Sequence, residues 1–182
     1  MRYALHETPI GPLLLAGRGP ELERVCFIHG RRAPPDFSSW CRDGALFAAA
    51  SAQLTAYFAG ELRRFELALR VEGTPFQRAV WEALAGIEFG STRAYGELAA
   101  MLGRPGASRA VGAANGANPL PVVLPCHRVI GADGRLTGFG GGLPLKRWLL
   151  RHEGLQLDGD RVATTAGRSG SGRTVPGQLE MF

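Results

Sequence analysis

The chain has 182 residues, of which 45% are hydrophobic and 20% charged, a composition that excludes general disorder and allows a substantial core. No apolar run approaches the roughly 18 residues of a membrane helix, and three cysteines without a C-x-x-C pair indicate free thiols. We therefore expect a cytoplasmic protein with no membrane partner. The net charge is +5, and nine basic against five acidic residues between 75 and 154 place most of the excess there. An anionic partner such as nucleic acid and a merely solvated arginine-rich face both fit this excess.

The first part of the chain is typical of a small α/β unit. Apolar runs at 13–16 and 22–28, separated by a glycine-rich turn, predict a β-hairpin. Apolar residues that recur every four positions over 46–58, with Gly60 just beyond, predict an amphipathic helix. Alternating apolar residues over 65–71 predict a half-buried strand. None of these patterns indicates catalysis.

The middle of the chain is predicted to be mainly helical. Thr74 and Pro75 form an N-cap followed by a first-turn proline, and shorter helices are expected at 95–102 and 107–116. Two short helices joined by a glycine-containing turn outline a helix-turn-helix, which many proteins without nucleic-acid partners also contain. The predicted fold class is therefore α/β (α+β), with a small N-terminal α/β domain of antiparallel strands and a mainly helical C-terminal domain carrying the helix-turn-helix.

The last of these helices consists almost entirely of small residues. Gly112 lies in its interior, where glycine costs about 0.5–1 kcal/mol relative to alanine. Tight packing against another helix would explain this glycine, and so would close approach to a nucleic-acid groove. In the second case Arg109, near the helix start, is the long side chain able to reach inward.

A cysteine and a histidine follow a short apolar run further along. The run 122–124 predicts a buried strand, and Cys126 and His127 come soon after it. A lone cysteine is often an inert core residue, but a neighbouring histidine can take its proton. Adjacent side chains on an extended chain point to opposite faces, so a bridging water is expected rather than direct contact. Glu153 is the candidate acid that orients His127.

Two loops flank Cys126. Asn118 opens a proline-containing turn, for which a purely structural role is the alternative. The glycine-rich segment 138–142 is weak evidence for a phosphate loop, and a mobile loop that brings Phe139 over a flat aromatic ligand explains it at least as well. Cys26 and His29 have the spacing of half a metal site without a convincing second pair, so we expect core packing of Cys26 and no metal.

These motifs, taken together, resemble one family. The segment 125–129 (Pro-Cys-His-Arg-Val) is similar to the active-site signature of the O6-alkylguanine-DNA alkyltransferases, also called methylated-DNA–protein-cysteine methyltransferases, of bacterial type. The resemblance extends over 74–154 and includes the segments 76–78, 94–99, 109–113, 118–119 and 149–154. Several matches in one order are specific, and they favour Cys126 as a nucleophile over an inert core residue.

The resemblance implies a suicide repair reaction. An O6-alkylguanine in double-stranded DNA (and an O4-alkylthymine) would be flipped out of the helix and would transfer its alkyl group irreversibly to Cys126, without a cofactor. His127 would act as the water-mediated base, Glu153 would orient it, and Asn118 would hold the preceding turn. The implied DNA-binding residues are Tyr95, Ala107, Ser108, Arg109, Gly112, Ala113 and Arg128. The implied substrate-pocket residues are Pro121, Val129, Phe139 and Gly140.

The family pattern also sets expectations for domains and alternatives. It implies a ribonuclease-H-like α/β domain at 1–73, a DNA-binding and alkyl-acceptor domain at 74–155, and a monomer. The composition after Gly154, rich in Gly, Ser, Thr and Arg, predicts a flexible tail at 156–182. Some relatives have tyrosine where this chain has Phe139, so stacking on the base is expected to survive while polar discrimination weakens. A noncatalytic lesion sensor and a hydrolytic cysteine enzyme are the alternatives; the retained Cys126 argues against the former, and the adjacent Cys–His order against the latter.

The C-terminal residues form a separate pattern. Gln178, Leu179, Met181 and Phe182 resemble the short motif with which proteins bind the bacterial DNA sliding clamp. A recognition peptide at the end of a glycine- and serine-rich linker fits this interpretation. An inert tail that packs back on the domain is the alternative.

Overall fold

A four-stranded sheet and one helix form the N-terminal part of the protein. The computed structural model describes residues 1–30 and 34–163. The sheet has the strand order β3-β2-β1-β4, in which only the β1–β4 pair is parallel. Its elements are β1 (Arg2–His6), β2 (Leu13–Gly17), β3 (Arg24–Phe27) and β4 (Cys41–Arg42), followed by helix α1 (Ala48–Phe58).

The predicted hairpin and helix are confirmed, whereas β1 has no sequence signal. Every residue of β2 is buried, which explains its continuous apolar run. In β1 only Ala4 is buried, so the strand shows no clear alternation of apolar and polar residues. Its pairing with β2 and β4, rather than its own composition, makes it a strand.

Residues 65–71 do not form the regular strand that the sequence predicts. Their burial alternates as expected, but only Leu69 forms a bridge, to Leu22. Two backbone hydrogen bonds, from Leu22 N to Ala68 O at 2.8 Å and from Arg70 N to Leu22 O at 3.1 Å, hold this extended segment. The segment turns its apolar side towards the core and pairs with Leu22 at one bridge, but it does not join the sheet.

The C-terminal part is mainly helical, which confirms the predicted fold class. Helix α2 begins after Thr74, whose hydroxyl accepts from Gln77 N while the Gln77 side chain accepts from Thr74 N, a capping box. The elements are α2 (Pro75–Ala85), β5 (Arg93–Ala94), α3 (Tyr95–Met101), α4 (Ser108–Gly116), β6 (Val129–Ile130) and α5 (Leu143–His152). Helices α3 and α4 pack against each other across a glycine-containing turn, as the predicted pair requires.

One hydrophobic core joins the two parts. It contains Leu54 and Tyr57 of α1 together with Val80, Leu98 and Val111 of the helical part, all fully buried. A backbone hydrogen bond of 2.9 Å from Val25 N in β3 to Pro119 O also crosses between them. The N-terminal part is therefore packed directly on the segment that precedes Cys126.

The strand predicted at 122–124 is a tight turn instead. Leu124 N donates to Leu120 O at 2.8 Å, and Val122 has a φ of 75°, which is strained for a β-branched residue. The apolar run is real, but it marks burial of the whole turn: Val122 is fully buried and Val123 is 7% exposed. A short apolar run cannot distinguish a buried strand from a buried turn.

The expected start of a flexible tail at 156 also differs from the structure. Strands β7 (Leu157–Asp158) and β8 (Arg161–Val162) form a hairpin, and Leu157 and Val162 pack on a small cluster around buried Leu150. The predicted clamp motif, Gln178, Leu179, Met181 and Phe182, lies outside the described residues. Among the helices that the structure describes, none has the length and apolar character needed to cross a membrane.

Replacing Thr74 by alanine should destabilise the protein. The substitution removes the side-chain oxygen that caps α2, and we expect a loss of about 1 kcal/mol in the free energy of unfolding. Urea denaturation measures the difference. The Thr74→Ser variant keeps the capping oxygen and should lie within a few tenths of a kcal/mol of the parent. Equal losses in both variants would contradict the role assigned to the cap.

Candidate active site

Three short elements bring Cys126 next to the start of helix α3. Cys126–Arg128 forms one turn of 3-10 helix, which leads directly into β6. Strand β6 pairs in parallel with β5, with Ala94 opposite Ile130, so that Tyr95 begins α3 close to the cysteine turn. The predicted extended conformation at Cys126 and His127 is therefore wrong. Successive side chains of a 3-10 helix are about 120° apart, so the two still do not face each other.

Asn118 holds the loop that leads into Cys126. Its Nδ2 donates to Leu124 O at 2.8 Å, and its Oδ1 accepts from Leu120 N at 2.9 Å. Both polar ends of the side chain thus cross-link the turn that contains the strained Val122. Asn115, which sequence reasoning missed, donates from Nδ2 to Cys126 O at 3.4 Å from helix α4. Asn118 thus holds the turn that precedes Cys126, and Asn115 holds the Cys126 carbonyl.

The carboxylate of Glu153 is the centre of a buried polar network. Glu153 follows α5 and is 4% exposed. Its Oε1 lies 2.7 Å from Tyr57 Oη, 2.8 Å from His127 Nε2 and 2.9 Å from an Arg128 terminal nitrogen. Its Oε2 accepts from Arg128 Nε at 2.8 Å and from Gly90 N at 3.3 Å. The structure thus brings the predicted pair His127 and Glu153 into direct contact.

This network sets the charge of its members. Burial alone would raise the pKa of Glu153, but its hydrogen bonds to His127 and Arg128 and the charge of Arg128 hold it well below its usual range. Burial lowers the pKa of His127, and the charges of Arg128 and Lys146 lower it further against the opposing effect of Glu153. His127 is therefore neutral at neutral pH, with Nε2–H donating to an ionised Glu153. Its Nδ1 is buried and has no hydrogen-bond partner among the described residues.

The thiol of Cys126 is buried, with 5% of the residue exposed. Burial raises its pKa, while the Asn118 side chain and the charge of Lys146 act in the opposite direction. Burial also raises the pKa of Tyr95, and the nearby Cys126 contributes to that rise. Cys126 thus lies within electrostatic range of both Tyr95 and Lys146.

An aromatic wall closes one side of this site. Phe139, 8% exposed, packs edge-on against Phe27 of β3 at a centroid distance of 5.6 Å and against the His127 ring at 6.4 Å. Tyr95 Oη lies 2.8 Å from Thr137 Oγ1, just before the glycine-rich loop. Of the other predicted pocket residues, Pro121 is half-buried, Gly140 is exposed within the glycine-rich loop, and Val129 is fully buried.

Helix α4 presents small side chains to solvent. Arg109, Ala113 and Gly116 are exposed, whereas Val111, Ala114 and Asn115 are buried. A Cβ added at Gly112 would meet only the Tyr95 ring, at an ordinary 3.7 Å. Packing against another helix therefore does not require this glycine. The predicted residues Ala107 and Ser108 are half-buried at the helix start.

The prediction that Arg128 contacts DNA conflicts with its position. Arg128 is 5% exposed, and besides Glu153 it donates to Ile87 O at 2.5 Å. Its guanidinium also stacks over Phe89 at 5.9 Å. A side chain engaged by a buried carboxylate, a buried carbonyl and a ring is part of the interior network and does not reach a surface ligand.

Besides Asn115, two buried residues of the site were missed by sequence reasoning. Tyr57 comes from α1, 96 positions from Glu153, and no local pattern links the two. Lys146 is fully buried on α5 and donates from Nζ to Val129 O at 2.5 Å and to Thr137 O at 3.2 Å. Its sequence signal was available, since it is the chain's single lysine and lies within an amphipathic run.

Removing the Tyr57 hydroxyl should weaken the protein. In Tyr57→Phe the Glu153 carboxylate loses one buried donor, and we expect a loss of about 1.5–3 kcal/mol in the free energy of unfolding. Urea denaturation at neutral pH checks this. The matched variant Tyr3→Phe removes a hydroxyl for which the described residues provide no hydrogen bond, and its stability should stay near that of the parent. Equal stability of Tyr57→Phe and the parent would show that the contact contributes nothing.

Comparison with known sequences identifies both parts of the chain. The family model described as the DNA-binding domain of 6-O-methylguanine DNA methyltransferase matches residues 75–155, and the model of its ribonuclease-like domain matches residues 1–71. A methylated-DNA–protein-cysteine methyltransferase of Methanosarcina acetivorans is 52% identical over 85% of this chain and 99% of its own length. One of Mycobacterium bovis is 50% identical over 84% of this chain and 92% of its own.

Solved structures give the same result. The crystal structure of Mycobacterium tuberculosis O6-methylguanine methyltransferase has a TM-score of 0.78 and 51% identity, covering 84% of this chain and 92% of that one. Mycobacterium tuberculosis OGT in complex with DNA has a TM-score of 0.80 and 49% identity, covering 85% and 93%. With two domain models and relatives of this identity over nearly their whole length, the chain belongs to the 6-O-methylguanine DNA methyltransferase family.

Proposed function

We propose that this protein repairs DNA by moving the alkyl group of O6-alkylguanine irreversibly onto Cys126, once per molecule. The observation that carries the proposal is the buried Cys126 beside a neutral His127. Glu153 holds the Nε2 of this histidine, and its Nδ1 finds no partner in the part of the chain that the structure describes. This arrangement provides a nucleophile, a base and a group that orients the base. Family membership supports the same reaction.

The proton path uses the free nitrogen of His127. Because Nε2–H donates to Glu153, the lone pair of the neutral ring lies on Nδ1. A water between Nδ1 and Cys126 Sγ would pass the thiol proton to His127. Glu153 stays ionised because Arg128 binds both of its oxygens, so it stabilises the imidazolium that forms.

The transfer itself is a single displacement. The Cys126 thiolate attacks the alkyl carbon, and the new bond from Sγ to carbon forms as the bond from carbon to O6 breaks. The electron pair of the broken bond stays on the guanine, which takes back the proton that left the thiol. The thioether product has no good leaving group, so the protein is consumed by the reaction.

The burial of Cys126 requires the damaged base to leave the duplex. A base stacked within the double helix cannot reach an atom that lies behind the protein surface, so base flipping is the proposed route. Phe139 would stack on the flipped base, with Pro121, Gly140 and the Val129 carbonyl around it. That carbonyl already accepts from Lys146 and retains a second lone pair. Tyr95, beside the cysteine, would contact the flipped nucleotide.

Helix α4 is the proposed DNA-binding element. Its exposed face carries small residues on either side of Arg109, which allows the backbone to approach a groove closely. Arg109 would fill the gap left by the flipped base, with Ala107, Ser108, Gly112 and Ala113 along the groove. Double-stranded DNA with an alkylated guanine is the proposed partner. A monomeric state and binding of the sliding clamp through residues 178–182 stay predictions.

Intact mass after mixing the protein with a duplex containing one O6-methylguanine tests the transfer. We expect a gain of about 14 Da, one methylene, that stops at one equivalent because the thioether is stable. The Cys126→Ala variant should bind the duplex and gain no mass. Cys41→Ala, which removes an exposed thiol remote from this network, should react like the parent.

Each other outcome of the mass measurement selects a different function. Unchanged mass with tight binding that prefers the lesion would replace alkyl transfer by lesion sensing. Unchanged mass without preference for the lesion would overturn the proposal altogether. Continued turnover beyond one equivalent would indicate a hydrolytic cysteine enzyme.

Replacing Gly112 by alanine should separate stability from DNA binding. The space around Gly112 admits a methyl group, so we expect a gain of about 0.5–1 kcal/mol in the free energy of unfolding from helix propensity. On the proposed groove-facing surface the same methyl group should weaken binding to duplex DNA. Fluorescence anisotropy with a labelled duplex measures the binding. Unchanged affinity in a stabilised variant would remove Gly112 from the proposed interface.

A further inference from the structure

Thr137 forms a hydrogen bond that the proposed mechanism does not use. Its Oγ1 lies 2.8 Å from Tyr95 Oη, and either hydroxyl can be the donor. The contact joins residues that are 42 positions apart, one at the start of α3 and one just before the glycine-rich loop. Both residues are half-buried, so the pair of hydroxyls is not sealed in the interior.

The neighbours of Thr137 along the chain fix its position. Leu136 is buried, and its N–H donates to Asp160 O at 2.7 Å in the turn of the β7–β8 hairpin. Phe139, two residues after Thr137, packs edge-on against Phe27 of β3. The backbone that carries the Thr137 hydroxyl is therefore held on both sides, as a residue that positions another side chain requires.

The number of protons on the two hydroxyls limits what Tyr95 can do. Each hydroxyl has one proton to donate and two lone pairs that accept. The phosphate oxygens and ring nitrogens of an O6-alkylguanine nucleotide carry no proton, so a contact from Tyr95 to any of them requires Tyr95 to donate. Thr137 must then be the donor to Tyr95 Oη. Changing from one arrangement to the other turns two hydroxyl protons and moves no heavier atom.

The environment of Tyr95 favours this division of roles. Burial is the main cause that raises the pKa of the Tyr95 hydroxyl, and the nearby Cys126 adds to the rise, so the hydroxyl keeps the proton that it must donate. Asn115 offers that proton a competing partner. Its side chain acts on the same hydroxyl, and its Oδ1 is buried without a hydrogen bond to any residue that the structure describes. A donor on one side of Oη restricts which acceptor receives the proton of Tyr95.

We propose that Thr137 is a positioning residue for alkyl transfer, whose Oγ1–H donates to Tyr95 Oη and directs the Tyr95 proton to an acceptor of the flipped nucleotide. The inference deepens the proposed function and rests on it for the contact between Tyr95 and that nucleotide. Hydrogen bonds are exchanged, and no covalent bond forms or breaks. Because Thr137 acts through Tyr95, its effect must vanish when the Tyr95 hydroxyl is absent.

Single-turnover kinetics with a duplex containing one O6-methylguanine measure the effect on transfer. The limiting rate at saturating protein depends on the flipped complex, whereas the half-saturating concentration depends on duplex binding through α4. Thr137→Val keeps the branched shape of the side chain without its hydroxyl. We expect its limiting rate to fall about fivefold, the effect of one ordinary hydrogen bond, while the half-saturating concentration stays unchanged. Thr137→Ser keeps the hydroxyl and should retain the rate of the parent.

Matched variants separate this role from a simple tether of the glycine-rich loop. In the Tyr95→Phe background, Thr137→Val should cause no further fall in the limiting rate. Loosening of the loop would accelerate the modification of Cys126 by iodoacetamide without DNA, and we expect this rate to be the same in Thr137→Val and the parent. Thr55→Val removes a hydroxyl that donates to Ser51 O at 3.0 Å on the exposed side of α1, and it should react like the parent.

Three results of these kinetics would contradict the proposal. The first is an unchanged limiting rate in folded Thr137→Val. The second is a further fall in the Tyr95→Phe background, because the effect would then not pass through the Tyr95 hydroxyl. The third is a loss that lies only in the half-saturating concentration or that accompanies faster modification by iodoacetamide, either of which would assign Thr137 to duplex binding or to the loop.

A second measurement follows base flipping without transfer. The Cys126→Ala variant is mixed with the same duplex carrying 2-aminopurine next to the lesion, whose fluorescence rises when its neighbour leaves the stack. In this background we expect Thr137→Val to reduce the rise and Thr137→Ser to keep it. Equal signals from all three proteins would overturn the proposal. A parent protein that gains no mass from the lesion would sink the proposed function, and the fluorescence would still decide whether Thr137 helps to hold the flipped nucleotide.

Discussion

The carboxylate of Glu153 is the point on which the rest of the site depends. It receives donors from helix α1, from the loop at Gly90 and from the cysteine turn, while it lies itself at the end of α5. Four segments distant in sequence therefore meet at one buried anion. A buried carboxylate is tolerated only when its lone pairs are satisfied, so the requirement to satisfy Glu153 also fixes the relative positions of these segments.

This arrangement gives the N-terminal part of the protein a direct share in the chemistry of the site. Tyr57 donates to the oxygen of Glu153 that also contacts His127, and His152 contacts the Tyr57 carbonyl at 2.8 Å. Phe27 supports the ring of Phe139, and Val25 holds Pro119 before the cysteine turn. The first part of the chain thus contacts the Glu153 carboxylate, the aromatic wall and the loop that leads into Cys126. The N-terminal part therefore contributes contacts to the site in addition to its share of the hydrophobic core.

Hydrogen bonds hold the backbone around Cys126 in place, whereas the proposed DNA-binding helix exposes small side chains. Asn118 and Asn115 hold the backbone around Cys126, and the strained Val122 persists because the surrounding turn is cross-linked. Helix α4, in contrast, exposes alanine and glycine residues near Arg109. Preorganisation of this kind restricts the nucleophile to one direction of approach, which suits a protein that reacts once.

Local sequence was sufficient wherever short-range chemistry decides the outcome. The cap at Thr74, the helix ending before Gly60 and the buried run of β2 were predicted because each depends on neighbouring residues. The adjacent Cys126 and His127 and the candidate acid Glu153 were singled out from local sequence, and the family resemblance favoured Cys126 as the nucleophile. The structure brings His127 and Glu153 into contact, although their roles stay predictions. Sequence misassigned 122–124, because burial of an apolar run does not specify its backbone. The family resemblance placed Arg128 on DNA, but a motif does not show that the side chain is buried against Glu153. Only the tertiary structure could show that Tyr57 belongs to the site and which partners the single lysine, Lys146, finds there. Long-range packing removes both from water, and a buried polar group must then find its partner wherever the fold places one.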